Sequence, residues 1–198
     1  MTIVNTDGMA FIGPGSEWLW LMLQALIIGA TLFFVYRQLT AMRMANALSE
    51  LRKFAERWES RNMIEACLLA ATQLRDSPEA AMSRPTSSIA EFFSDMYSLR
   101  DRGVLHERDV MEAWAARCDG WWVLLGPLVD PYRIAERSEK LYLGFEDLAK
   151  FTRRHAASWG MTPAGTDEAS RAALIETAIQ RAKAALDSVD EASRRPLP

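Results

Sequence analysis

From Trp18 to Tyr36 the chain reads WLWLMLQALIIGATLFFVY, 19 residues without a charged side chain and with Gln24 as its one strongly polar member. At about 1.5 Å per residue, a helix of this length covers the roughly 30 Å hydrocarbon core of a bilayer. Trp18 and Trp20 stand at one end and Tyr36 at the other, where amphipathic aromatics meet the two membrane interfaces. A helix this long inside a soluble domain ordinarily keeps a polar stripe, and this run has none. The stretch before it carries no positive charge, and the run exceeds the roughly 7–15 residues of a signal-peptide core. The sequence therefore predicts an uncleaved membrane anchor.

Charge sets the expected orientation. Residues 1–36 hold no Lys or Arg, and Asp7 and Glu17 are their only charged side chains. All 23 basic residues, and all but two of the 26 acids, follow residue 36. Arg37, Arg43, Arg52 and Lys53 flank the C-terminal side of the run, so the positive-inside rule places the N-terminus outside and the rest in the cytoplasm. The next apolar stretch, WWVLLGPLV at 121–129, is too short to cross and reads as protein core. From Arg37 to Arg61, six basic residues face three acids, a modest excess that predicts contact with anionic membrane lipid beside its role as a topology signal.

Beyond the anchor, strand signals are nearly absent and apolar residues recur at helical spacing. The expected fold is all-α: a transmembrane helix continuing into a cytoplasmic bundle of about four further helices. The boundaries read as a tail at 1–17, the span at 18–36 and a juxtamembrane helix at 37–60. A helical domain at 61–160, a C-terminal amphipathic helix at 166–190 and a disordered tail at 191–198 follow. Met44, Leu48, Leu51, Ala55 and Trp58 form a short heptad seam. The first helix is expected to run on past a change of face at Ser60–Asn62 and to stop before Pro78. A second starts at Ser87 or Ser88 and ends at Gly103. A third covers 106–125 and breaks at Gly126-Pro127, and a fourth begins at Asp130-Pro131. The last carries Ala172, Ile175, Ile179, Ala182, Leu186 and Val189, and either packs on its own domain or pairs with another chain.

Candidate chemistry is sparse. A net charge of −3 disfavours a broad nucleic-acid surface. The two cysteines, Cys67 and Cys118, sit on apolar helical faces and show neither metal spacing nor a neighbouring base. His106 and His155 lack the second histidine that a metal motif needs, so neither a metal nor a cofactor is expected. Gly13-Pro14-Gly15 lacks the Gly-Lys-Ser/Thr of a phosphate loop. If the chain is an enzyme or effector, His106, Glu112 and Glu146 are the groups that would have to meet in space.

Interaction features are better represented. Ala25 and Gly29 form a small-x-x-x-small pair in the span, which with the seam above it allows a homo-oligomer. In the pair Trp121-Trp122 one ring suits the core, and its neighbour suits either the core or a partner contact.

The order of these features resembles a known group. A single span leads into YRQLTAMRMANALSELRKFAERWES, followed by IAEFFSDMYSLRDRGVLHERDVMEAW and WWVLLGPLVDPYRIAERSEKLYLGFEDLAKF. Over about residues 18–152 this is similar to small bacterial single-span membrane proteins with a cytoplasmic helical domain of unknown function. The resemblance implies a bacterial inner-membrane protein and assigns no catalytic residue. The expected function is to hold a protein partner at the cytoplasmic face. The alternatives are an accessory subunit of a larger membrane complex, docked through positions such as Leu23, Ile27 and Phe34, and a membrane-tethered enzyme.

Overall fold

A computed structural model describes residues 17–194, and the described residues are helical without a strand. The elements are α1 (Glu17–Trp58), α2 (Arg61–Asp76), α3 (Arg84–Asp101), α4 (Glu107–Ala113), α5 (Ala115–Ala135), α6 (Leu143–His155), a 3-10 turn (Ala156–Trp159) and α7 (Glu168–Arg194). The chain divides within α1 into two units, one ending at Asn46 and one beginning at Ala47. The tail at 1–16, with its Gly-Pro-Gly, and residues 195–198 lie outside the described residues. Residues 191–194 belong to α7, so the helix continues past the predicted end at 190.

The first unit contains the apolar part of α1, the helix that is long and apolar enough to cross a membrane. Its apolar side chains are exposed throughout, Leu21, Leu26, Leu32 and Phe34 among them. Thr31 donates its hydroxyl to the Ile27 carbonyl at 2.8 Å, and Thr40 donates to Tyr36 at 3.0 Å. Both hydroxyls are thus satisfied inside the helix, without a partner from elsewhere.

The second unit is built on an aromatic hub. Trp58 of α1 lies 4.9 Å from Phe92, 5.6 Å from Phe93 and 5.7 Å from Trp114, ring centre to ring centre. Phe93 stacks on Phe145 of α6 at 5.1 Å, and Trp122 of α5 meets the same Phe145 edge-on at 5.1 Å. Such offset and edge contacts add to the burial of large apolar surfaces. Ile89, Met96, Leu105, Val110, Met111, Leu125 and Leu148 complete the centre.

Caps and tertiary contacts set the helix boundaries where the sequence pattern misplaces them. The first helix does not run on to Asp76. It stops at Trp58, and Ser60 caps a new helix by accepting a hydrogen bond from the Met63 amide at 3.4 Å. The next helix starts at Arg84 rather than Ser87. Ser83 is its cap, Pro85 lies in its first turn, and the Thr86 hydroxyl accepts the Ser83 amide at 2.8 Å. The stretch 106–125 is not one helix: it breaks at Trp114, the residue whose indole joins the hub. Conversely, Gly126-Pro127 and Pro131 do not end α5. Both prolines are exposed, and Leu124, Leu125, Leu128 and Val129 hold the helix by burial despite the two missing N–H groups. The further helices therefore number six among the described residues rather than about four.

The fourth helix, predicted to begin at Asp130-Pro131, begins instead at Leu143 as α6: Asp130 and Pro131 belong to α5, and a turn follows its end at Ala135. Arg133 pins that turn: its Nε donates to the Leu141 carbonyl at 2.8 Å and its Nη1 to Asp130 at 3.0 Å. Its Nη2 lies 2.8 Å from Glu146 Oε2, an ion pair whose N–H is not aimed at the oxygen. Arg137 and Tyr142 adopt positive φ there, and the Tyr142 ring stacks on Tyr132. This backbone costs non-glycine residues some stability, and the pinned arginine offsets it.

The last helix packs on its own domain. Ile179 and Ala182 are buried, and Leu174, Ile175, Ala178, Leu186 and Val189 lean on the same core. Arg61 pairs with Asp190 at 2.9 Å and Arg75 approaches Glu176 at 4.0 Å. Residue numbers fall along α7 as they rise along α2, so the two helices run antiparallel.

Candidate functional site

The residues singled out in the sequence separate into three groups. Trp18, Trp20, Tyr36, Arg37, Ala25 and Gly29 are exposed on α1, and a Cβ on Gly29 would meet nothing within 4 Å. Of Arg43 only the helical backbone is described. In the heptad seam, Met44 and Leu48 are 59% and 65% exposed, whereas Leu51, Ala55 and Trp58 lean on the core of their own chain. Trp121 is buried and Trp122 half-buried, with its indole 3.2 Å from where a Cβ on Gly126 would sit. Both tryptophans serve the chain's own packing.

The structure does not bring His106, Glu112 and Glu146 together: no hydrogen bond or ion pair joins them among the described residues. His106 is exposed at the start of α4, and Glu112 pairs with Arg108 at 2.8 Å. Glu146 pairs with Lys150 at 2.6 Å and with Arg133. The Lys150 hydrogen bond, with the Arg133 charge beside it, holds the Glu146 carboxyl below the usual carboxylate range against the opposing effect of burial. Among the described residues no group of three or more metal-ligating side chains converges. Burial pushes the Cys67 thiol up to about 12 and the Cys118 thiol well above its ordinary value, so both stay protonated at neutral pH.

Among the clefts of the second unit, one of about 550 Å³ lies between α2, α5 and α7. That volume suits a small molecule. Ile64 and Cys67 of α2, Trp121 and Leu124 of α5 and Leu174 of α7 give it apolar walls. The space exists because small residues face each other. Ala113 at the end of α4 and Ala116 and Gly120 on α5 face Ala178, Ala182 and Ala185, which follow at steps of four and three on α7. A Cβ on Gly120 would touch only Leu174, at an ordinary 3.7 Å.

Two cations edge this cleft. Arg117 donates Nη1 to the Ala113 carbonyl at 2.9 Å, and its guanidinium stands 5.2 Å from the Trp114 ring centre. Arg181 on α7 is exposed and lines both this cleft and a smaller one of about 240 Å³. No acid lies within ion-pair distance of either guanidinium among the described residues. Glu59 is the single acid of the larger lining.

The smaller cleft is closed by a polar tie. Asp119, 5% exposed, binds the Arg153 guanidinium through one carboxylate oxygen and accepts the Ala164 amide at 2.6 Å through the other. Arg153 also donates to the Ala164 carbonyl at 3.3 Å. A buried carboxylate with both oxygens satisfied is stable only as a set, so this tie fixes the loop before α7. Sequence reasoning missed Asp119, Arg153, Arg117 and Arg181. The alanine and glycine spacing on two amphipathic helices was the available signal for the cleft.

Comparison with family models, curated proteins and solved structures finds no match to this chain.

Proposed function

We propose that this chain is a single-span protein of the bacterial inner membrane whose helical unit holds a protein partner at the cytoplasmic face. The observation that supports this most is the apolar segment of α1, long enough to span and with none of its side chains buried. An exposed apolar surface of that extent exceeds what soluble monomers tolerate and calls for lipid or protein cover. The charge asymmetry favours residues after 36 on the cytoplasmic side. The second unit has its own core, on which a partner surface would be carried.

The test is purification from native membranes in mild detergent, with sizing and mass spectrometry of what co-elutes. We expect a partner protein in stoichiometric amount, lost when residues 18–36 are replaced by a polar linker. Elution of the chain alone, or as a homo-oligomer, would overturn the partner-holding role. A partner complex in which Leu23, Ile27 and Phe34 are covered by neighbouring chains would make it an accessory subunit.

A further inference from the structure

We propose that the cleft between α2, α5 and α7 binds a single-chain anionic amphiphile, its acyl chain inside and its head group on Arg117 and Arg181. The interior is lined by Ile64, Trp121, Leu124 and Leu174 and by small residues, which suits a flexible hydrocarbon chain. Its volume of about 550 Å³ is far larger than a water site. Polar recognition is confined to the edge. Arg117 is held in place by its bond to the Ala113 carbonyl and by the face of Trp114, and neither contact neutralises it. Arg181 stands across the cleft on α7 without an acidic partner among the described residues. Two guanidinium groups at an apolar mouth match a carboxylate or phosphate on a greasy tail. Nothing in the cleft offers the carboxylates that would favour a cationic ligand except Glu59. The inference stands on the cleft of the second unit and does not depend on the membrane reading.

The experiment uses the full chain in phosphatidylcholine vesicles with three photoactivatable diazirine probes: a palmitate, a lysophosphatidylglycerol and a zwitterionic lysophosphatidylcholine. Crosslinked peptides are mapped by mass spectrometry. We expect at least one anionic probe to label segments 113–124 and 174–185, and the zwitterionic probe to label them about tenfold less. Labelling by palmitate alone identifies a free carboxylate as the ligand; labelling by the lysophospholipid alone identifies a lipid head group. Arg117→Gln with Arg181→Gln should lower the cleft labelling about tenfold, and Arg181→Lys should retain it. Ala178→Phe, which fills the space, should abolish it while leaving the helical circular dichroism unchanged. Labelling of all three probes confined to segment 18–36 would overturn the inference. Cleft labelling indifferent to probe charge and to the arginine substitutions would overturn it equally. Labelling of 18–36 reports membrane insertion separately, so failure of one reading is distinguishable from failure of the other.

Discussion

At the scale of single residues, the polar groups inside the second unit hold turns in place. Glu146 is 19% exposed and Arg133 14%, and together they tie α6 to the turn that precedes it. Because the Glu146 carboxyl titrates below its ordinary value of 4.5, its ionised form stabilises the fold above that value. The contribution is lost as pH falls through the folded-state value. Glu146→Gln should cost about 1–2 kcal/mol at pH 7, and the gap between the variant and the parent should close as pH is lowered below 4.5. Urea denaturation across that range reads it. Asp119 is a second such point. Asp119→Ala strands the Arg153 guanidinium and the Ala164 amide, so it should cost about 2–3 kcal/mol. It should also speed proteolysis in the loop at 161–167, which a time course of limited digestion would show.

At the scale of elements, helices are fixed by what they bury and by how their ends are capped. Ile179 is 2% exposed where α7 meets the core. Ile179→Ala should destabilise the protein by about 2–4 kcal/mol, measured by denaturant midpoint. A shift below about 0.5 kcal/mol would mean that α7 is not docked as described. Gly120 lies inside α5 with room for a methyl group, so Gly120→Ala should raise the melting temperature, by about 0.5–1 kcal/mol of stability. The same two helices show what a sequence makes legible. The apolar positions Ile179 and Ala182 follow a helical period, which is a local property, and the structure buries both. The ends were harder. Ser60 caps by accepting the Met63 amide and Ser83 by donating its own amide to the Thr86 hydroxyl, and any nearby serine reads alike in the sequence. Pro127 reads as a breaker and Pro131 as the start of a new helix, but the burial of Leu128 and Val129 outweighs the two lost hydrogen bonds and α5 runs through both. Arg117 and Arg181 are illegible as a pair because the cleft that joins them is made by packing α5 against α7, far apart in the chain.

At the scale of the whole molecule, two different solvents are implied by one chain. The unit from Ala47 onward buries its aromatic rings in the ordinary way of a water-soluble helical domain. The unit before it buries none of its apolar segment, which therefore needs hydrocarbon or a protein neighbour around it. The boundary at Asn46–Ala47 falls inside the predicted juxtamembrane helix and was not legible, since it depends on contacts, whereas the apolar run of 19 uncharged residues was legible from the sequence alone. Partner and ligand were not, since they depend on surfaces assembled from several helices. The direct measurement is membrane topology in a bacterial host. Alkaline carbonate extraction is paired with C-terminal fusions to green fluorescent protein and to alkaline phosphatase, one reporter active only inside and the other only outside. We expect the chain to stay in the carbonate-washed membranes, with the fluorescent fusion bright and the phosphatase fusion inactive. Release of the chain by carbonate, or an active phosphatase fusion, would contradict the single span with its helical unit in the cytoplasm.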